Sequence, residues 1–335
     1  MAASQQSPFA NEEYTVGWIC ALPTELAAAK GMMDTIHGRP QTAPADADHN
    51  TYVLGTIGKF KVVVTSLPLH HIGVCSATAS AKEMLFTFPK IRIGLLVGIG
   101  AGIPDTTNER DIRLGDVVIG SDSAHGGVVV YDFGKKLADG SFQSISMLNQ
   151  SPPSLKSALA SIKAEHDMQE SKMLSYLEEM LTKFPRMRKT GYTYPGKSHD
   201  RLFQPSYTHS KEAASCSECD ASQEIYRLER LDNEPVVHYG TIASGNTMVT
   251  DASMRLQIQE KHSAICLDME AAGLMNHFPC VVIRGISYYA DSHKNDRWQP
   301  FAAAMAAAYA KELLGHVQHK SMDGELVSKD VLCQG

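Results

Sequence analysis

Three acidic side chains and one arginine stand at the ends of apolar segments, where α/β proteins usually place their chemistry. Asp268 and Glu270 follow the apolar run in "AICLDMEAAGLM", and Arg284 ends the apolar run in "CVVIRGIS". Burying a charge is costly, so a pair of acids here indicates a functional role, with a helix cap as the alternative for one of them. Glu25, in "ICALPTEL", stands where a strand gives way to a helix. Its spacing alone favours a first-turn acid stabilised by the helix dipole.

The stretch "VIRGISYYADSH" spans residues 282–293 and contains Arg284, Ser287 and Asp291. It also contains Tyr288 and Tyr289, at a strand end where charged side chains are more usual. Ligands of open α/β sheets bind at such strand ends, so the stretch is a candidate site. The two tyrosines are its unusual feature, because a phenol is a far weaker acid than a carboxyl group.

A glycine cluster, "LLVGIGAGIPD" at residues 95–105, follows a second apolar run. Gly98 and Gly100 allow backbone N–H groups to approach a ligand closely. The cluster is neither a dinucleotide fingerprint, because its third glycine comes too early, nor a Walker loop, because no lysine follows. A tight structural turn is an equally good interpretation of these glycines alone.

A single Cys-x-x-Cys pair, Cys216 and Cys219, has His209 upstream of it. A structural zinc site usually needs four ligands, and the sequence offers no second pair of this kind. We therefore expect two ordinary thiols in a loop, with zinc as the less favoured alternative.

Length and composition exclude several classes of protein. The chain has 335 residues, 43% of them hydrophobic, and a net charge of −6, which argues against a nucleic-acid or membrane-surface binder. No apolar run approaches the roughly 20 residues that span a bilayer, and the polar N-terminus lacks a signal-peptide core. Seven scattered cysteines indicate a reducing environment, so we expect a cytoplasmic protein without disulfides.

Apolar strands alternate with helices along the chain, which predicts an α/β fold with a sheet covered on both faces. We expect strands at 14–22, 91–100 and 278–287, among others, a helix at 269–278 and an alanine-rich closing helix at 301–317. Residues 14–317 are predicted to form one domain. Residues 184–235 are polar and irregular, and we interpret them as an insertion. Residues 1–13 and 318–335 are expected to be flexible tails.

The motifs in combination resemble one family. The order "VGWICALPTELAAAK", "LLVGIGAGIPD", "VHYGTIASGN" and "DMEAAGLMNHFPCVVIRGIS" is similar to the nucleoside phosphorylase/nucleosidase superfamily, and to its fungal branch often attached to NACHT, ankyrin or tetratricopeptide regions. The resemblance implies a three-layer α/β/α domain with a mixed, partly barrel-like central sheet. It also implies a nucleoside site at the strand ends and a dimer or trimer. Because the sequence ends soon after this domain, we expect any signalling domain to come from another protein.

Within that superfamily the resemblance favours hydrolysis over phosphorolysis. Hexameric phosphorylases place an arginine and a serine for phosphate where this chain has Leu96 and Ile99. Neither side chain can bind an anion. The chain instead looks like the methylthioadenosine/S-adenosylhomocysteine nucleosidases, in which a glutamate at the position of Glu25 activates water. This resemblance replaces the helix-dipole interpretation of Glu25.

The resemblance also implies roles for further residues. Arg284 corresponds to the arginine that helps to hold the water, and Glu270 to the glutamate that binds the ribose hydroxyls. The other residues expected to bind substrate are Met269 against the sugar, Met248 and Val249 at the base, and Gly98, Gly100, Asp268 and Ser287. We expect a purine nucleoside or nucleotide as the ligand, and neither a cofactor nor a metal.

Tyr288 is the point at which the chain departs from the family pattern. The resemblance places an aspartate there, which protonates the leaving base. Three interpretations follow: Tyr288 or Asp291 supplies the proton; the pocket serves a non-nucleoside substrate in specialised metabolism; or the protein is a nucleotide sensor without catalysis. The presence of Glu25, Glu270 and Arg284 argues against the sensor, because costly buried charges should disappear first from a decayed site.

Overall fold

The fold is seen in a computed structural model that describes residues 6–43, 47–105, 110–122, 126–140, 142–145, 148–210, 215–318, 327, 328 and 330. The strands are β1 (Val16–Cys20), β2 (Thr35–Ile36), β3 (Tyr52–Ile57), β4 (Phe60–Ser66), β5 (Ile93–Gly102), β6 (Val117–Gly120), β7 (Val128–Val130), β8 (Gly134–Lys136), β9 (Phe142–Ser144), β10 (Val237–Ser244), β11 (Ala264–Asp268) and β12 (Cys280–Tyr288). The α-helices are α1 (Pro23–Met32), α2 (Val74–Thr87), α3 (Pro153–His166), α4 (Met173–Lys183), α5 (Arg186–Lys189), α6 (Ala252–His262), α7 (Ala271–Leu274) and α8 (Gln299–His316).

A mixed central sheet organises the chain in the order β11-β10-β6-β12-β5-β1-β4-β3-β2, with β7 beside β10. Strand β5 pairs in parallel with both β1 and β12. The end of β5 also pairs with β11, where Cys266 lies opposite Gly102, and this contact closes one half of the sheet into a partial barrel. The predicted α/β/α architecture with a mixed, partly barrel-like sheet is confirmed.

Apolar strand sequences explain why the sheet is covered by helices. All five residues of β1 are buried, as are nearly all of β5 and β12, so neither face of these strands meets solvent. Helix α8 packs on β12 and β5, and α1, α3 and α4 pack against α8. Helix α2 packs against α7. Within the described residues, no helix combines the length and the apolar character needed to cross a membrane.

The backbone of the closing helix α8 lies directly against the backbone of strand β12. A β-carbon on Gly285 of β12 would lie 1.9 Å from the carbonyl oxygen of Ala302 in α8. Alanines occupy most of the buried face of α8, so no large side chain keeps the two backbones apart. This close contact fixes the position of β12, which carries Arg284.

Most predicted elements are present, with two informative differences. The helix expected at 269–278 is limited to Ala271–Leu274, because Glu270 is not helical and its side chain turns towards Arg284. Residues 6–13, expected in a flexible tail, pack on the domain: Asn11 is buried and donates to the carbonyls of Thr42 and Thr87 at 3.1 and 3.2 Å. The first five residues and most of the expected C-terminal tail lie outside the described residues.

The insertion is anchored to the domain by the second tyrosine. The hydroxyl of Tyr289 accepts hydrogen bonds from Leu114 N at 3.1 Å and Arg227 at 2.9 Å, and it contacts Asp200. Arg227 also forms an ion pair with Asp200 at 3.1 Å. Tyr289 is therefore a structural residue that joins β12 to residues 200–227.

We predict that Gly285→Ala destabilises the protein by at least about 1–3 kcal/mol, because the new methyl group collides with the α8 backbone. Gly315→Ala, also in α8, is the matched control, since among the described residues no atom outside its chain neighbours and its own helix backbone lies within 4 Å of the added β-carbon. We expect this control to be stabilising by about 0.5–1 kcal/mol through helix propensity. Urea unfolding of both variants measures the difference, and equal stabilities would contradict the packing argument.

Candidate active site

The guanidinium of Arg284 is completely buried at the centre of a cluster of acids. Its Nε and Nη2 donate to Asp268 Oδ2 at 3.0 and 2.5 Å, and Nη2 also lies 3.2 Å from Glu270 Oε2. Arg284 is 0% exposed. Burial lowers its pKa, but Asp268, Glu270 and Glu25 more than reverse this effect and raise the pKa above its usual value. The arginine is therefore charged although its side chain is completely buried.

Glu25 enters the same cluster from the first turn of α1, which begins with Pro23. Its Oε2 accepts hydrogen bonds from the backbone N–H groups of Ala21 and Leu22 at 2.6 and 3.0 Å, and its Oε1 accepts one from Ile99 N at 2.7 Å. Burial raises the pKa of Glu25, although Arg284 and these hydrogen bonds oppose the effect. The raised pKa makes this carboxylate a stronger base than an exposed glutamate.

Gly98 allows Glu25 and Arg284 to meet. A β-carbon at this position would lie 2.5 Å from Glu25 Oε1 and 2.7 Å from Arg284 Nη1. Both atoms therefore face the same small region above β5. The glycine was predicted to let a ligand approach the backbone; in the structure, the side chains of the candidate catalytic pair use this space. Gly100 has a related function, because its β-carbon would lie 2.7 Å from Cys266 Sγ and 3.2 Å from Arg284 Cβ.

The two acids around β11 have different surroundings. Asp268 is occupied by Arg284 and by the backbone N–H of Ala271 at 3.2 Å, so it both caps α7 and holds the arginine. Glu270 accepts a hydrogen bond from Gly73 N at 3.3 Å and contacts Arg284 with its other oxygen. Burial, opposed by Arg284 and supported by repulsion from Asp268, raises the pKa of Glu270 to about 7.

Tyr288 is half-buried in an apolar cluster beside these acids, together with Val249 and Tyr131. Burial raises its pKa, and the nearby Cys266, Tyr131 and Glu270 raise it further. The ammonium of Lys294 lies 5.5 Å from the centre of the Tyr288 ring. The phenol is thus a neutral hydrogen-bond donor rather than an ionisable acid in the physiological range.

The remaining predicted substrate residues are distributed around this cluster. Met248 is 46% exposed, whereas Val249 is buried, and Met269 is partly buried between Asp268 and Glu270. Ser287 is buried, and its hydroxyl has no hydrogen-bond partner in the part of the chain that the structure describes. Its expected contact with substrate stays a prediction.

Asp291 has partners of its own on the side of the insertion. Its carboxylate accepts a hydrogen bond from His293 N at 2.9 Å and lies 3.7 Å from both Arg255 Nη1 and His293 Nδ1. Arg255 in turn donates to Tyr289 O at 2.6 Å. These contacts give Asp291 a structural environment, in contrast to its expected role as a proton donor.

Backbone groups contribute to the site and have no signal in the sequence pattern. Ile99, whose side chain was considered only for phosphate, donates its N–H to Glu25 and offers its carbonyl to Arg284 Nη1 at 3.5 Å. Gly73 supports Glu270 from the start of α2, with a φ of 103° that favours glycine. The glycine cluster at residues 95–105 predicted a close approach to the backbone but did not identify Glu25 or Arg284 as the partner.

Comparison with known proteins identifies the family. A family model described as "Phosphorylase superfamily" matches residues 15–317. The chain belongs to the phosphorylase superfamily. A nucleotide-binding leucine-rich repeat (NLR)-like protein of Hyaloscypha variabilis is 42% identical over 315 residues, which are 93% of this chain and 30% of that protein. The ATP nucleosidase Cap17 of Escherichia coli is 31% identical over 87 residues, 24% of this chain and 17% of that protein. The chain thus spans less than a third of either relative.

Solved structures of the superfamily confirm the fold. The futalosine hydrolase of Helicobacter pylori superposes with a TM-score of 0.56 at 15% identity, over 90% of this chain and 98% of that one. The 5'-methylthioadenosine/S-adenosylhomocysteine nucleosidase of the same organism gives a TM-score of 0.57 at 14% identity, with the same coverage. These structures confirm the fold and the family model confirms the predicted superfamily, whereas the role of each site residue stays a prediction.

We predict that Arg284→Met destabilises the protein by about 3–5 kcal/mol at about pH 8, because three buried carboxylates lose their cation. The loss should be smaller at about pH 5. The pKa values of Glu25 and Glu270 are already raised in the folded state, so protonation at low pH relieves the repulsion. Urea unfolding at both pH values measures the effect.

Arg188→Met is the control for this prediction. Arg188 pairs with Glu178 at 2.7 Å, but the two side chains are 44% and 62% exposed. Its loss should cost less than about 1 kcal/mol, with little dependence on pH. A pH-independent loss in Arg284→Met would contradict the electrostatic account of the cluster.

Proposed function

We propose that this protein hydrolyses the N-glycosidic bond of a purine nucleoside or nucleotide, with Glu25 as the general base. The observation that carries the proposal is the approach of Glu25 Oε1 and Arg284 Nη1 to the same point above Gly98. A carboxylate and a guanidinium that face one region suit a water molecule that donates to the first and accepts from the second.

Glu270 is proposed to bind the ribose hydroxyls. A carboxylate has about four lone-pair sites, so Glu270 retains acceptor capacity beyond its contacts with Gly73 and Arg284. Its negative charge favours the positive charge that develops on the sugar as the C–N bond breaks. With a pKa of about 7, Glu270 binds the sugar as an anion only at neutral and higher pH.

Leu96 and Ile99 support water rather than phosphate as the nucleophile. Leu96 is completely buried, and the backbone of Ile99 is committed to Glu25. Neither residue offers a charged or hydroxyl donor to an anion. The local similarity to an ATP nucleosidase supports a nucleotide as one of the substrates to be tested.

A non-nucleoside substrate is the second candidate, and Tyr288 is the observation that favours it. Its hydroxyl is too weak an acid to transfer a proton readily to a purine, because its pKa is raised above that of free tyrosine. The ring instead provides an aromatic surface beside Val249 that suits stacking on a planar ligand. The dimer or trimer and the cytoplasmic location stay predictions from the family and the composition.

Base release from adenosine, methylthioadenosine, inosine and ATP, measured with and without phosphate, tests the hydrolase. We expect release that does not need phosphate and that falls by about 10²–10⁴-fold in Glu25→Gln, because the general base is lost. Glu178→Gln, an exposed acid, serves as the matched control. Release only in the presence of phosphate would show a phosphorylase, and no release from any of these compounds would favour the non-nucleoside substrate.

The exchange Tyr288→Asp tests the missing leaving-group acid. A carboxyl group in this acidic, half-buried environment would have a raised pKa and could protonate the base, so release should increase by about 10²-fold or more. Tyr288→Phe removes only the hydroxyl and separates proton donation from ring stacking. A decrease in Tyr288→Asp would show that the tyrosine has its own role in binding or catalysis.

A further inference from the structure

A second group of chemically active side chains lies in the insertion, outside the Arg284 cluster. The ligand atoms of His209, Cys216 and Cys219 are all within 4.8 Å of one another. Bond lengths in tetrahedral zinc sites place such atoms about 3.3–3.8 Å apart, so a small contraction would bring these three ligand atoms to the required spacing. We propose that His209, Cys216 and Cys219 bind a zinc ion and that His293 supplies the fourth ligand.

The Cys-x-x-Cys turn is already shaped for this purpose. Residues Cys216–Glu218 form a 3-10 turn, in which Cys219 N donates to Cys216 O at 3.2 Å. The guanidinium of Arg201 donates to the carbonyls of both cysteines and is itself paired with Glu224. The turn therefore holds both sulfur atoms on one side without any metal.

His209 is oriented to offer one ring nitrogen. Its Nδ1 lies 2.7 Å from the carbonyl oxygen of Ser210, which can only accept, so Nδ1 carries the proton. Nε2 then has a free lone pair for a metal, and a hydrogen bond of this kind commonly orients zinc-binding histidines. The backbone N–H of His209 donates to Ser292 Oγ at 2.9 Å, which places it next to His293.

His293 provides the independent observation that points to a ligand. The residue is only 6% exposed, yet neither ring nitrogen has a hydrogen-bond partner among the described residues. Leaving a buried imidazole unpaired is costly. Its ring lies 5.4 Å from that of His209, and it lines the same cavity as both cysteines. Coordination to a metal would satisfy one nitrogen, and Asp291, 3.7 Å from Nδ1, would orient the other.

The charge and chemistry of the four ligands select zinc. Two thiolates balance the charge of Zn²⁺, so the occupied site would be neutral, which suits a partly buried position. Two cysteines and two histidines form a common set for structural zinc. Such an ion would tie His209 and the turn at residues 216–219 to the segment that follows β12, and so would support the strand that carries Arg284.

Metal analysis of the full-length chain, purified without chelators, tests the proposal. We expect one zinc ion per chain in the natural protein and its loss in the double variant Cys216→Ser and Cys219→Ser. Cys75→Ser, at an exposed cysteine of α2, should retain the metal. His293→Ala should weaken zinc affinity by roughly tenfold or more, since a ligand is lost. Unchanged affinity in His293→Ala would remove this residue from the site.

Cobalt substitution keeps the test decisive if the cysteine variants fail to fold. Chelator-treated natural protein loaded with Co²⁺ should show the visible absorption of a tetrahedral site and the charge-transfer band of thiolate ligands. Absence of both signals would overturn the proposal. The mass of the natural protein provides a second check. A metal-free protein that has lost two thiol hydrogens would also overturn the proposal, because Cys216 and Cys219 would then form a disulfide.

Discussion

The buried ion cluster around Arg284 is the interaction on which the rest of the site depends. Glu25 comes from α1, whereas Asp268 and Glu270 stand two residues apart where β11 ends and α7 begins, and each acid would be costly to bury without the shared guanidinium. The cluster forms only if β5, β11 and β12 hold their relative positions, because Arg284 of β12 donates both to Asp268 at the end of β11 and to the carbonyl of Ile99 in β5. The partial barrel closure between β5 and β11 is thus an electrostatic requirement as well as a feature of packing.

Two glycines, which have no side chain, are as important to this arrangement as the charged residues. Gly98 leaves the space in which Glu25 and Arg284 face each other, and Gly285 lets α8 press β12 into place from the other side. Gly98 lies beside the side chains of the proposed catalytic pair, whereas Gly285 lies against the backbone of α8. Both glycines permit a close contact that helps to fix the position of Arg284. A site built in this way is rigid before any ligand arrives, which lowers the cost of binding.

The sequence predicted the strands and the unusual acids, which depend on local pattern. It missed the pairings of side chains that lie far apart in the chain. Apolar runs identified β1, β5 and β12, and the acids beside them were recognised as costly to bury. The catalytic interpretation of Glu25 came from resemblance, since its spacing alone suggested a helix-dipole role. The sequence could not show that Asp268 forms the main ion pair with Arg284, because Glu270 was an equally good candidate for that contact. His293 likewise could not be matched with Cys216 from spacing, because the insertion's path brings them together.

Electrostatics gives a physical reason for Tyr288 to stand where the family pattern has an acid. The cluster already contains three carboxylates and one guanidinium, and mutual repulsion contributes to the pKa of about 7 at Glu270. A further carboxyl group beside them would compete with Glu270 for protons, whereas a phenol adds no charge. Burial, reinforced by the nearby acidic groups, raises the pKa of Tyr288 and keeps its hydroxyl protonated. Under the proposed function, Tyr288 would offer the leaving group a permanent hydrogen-bond donor in place of a proton donor, which suits a leaving group that departs without full protonation.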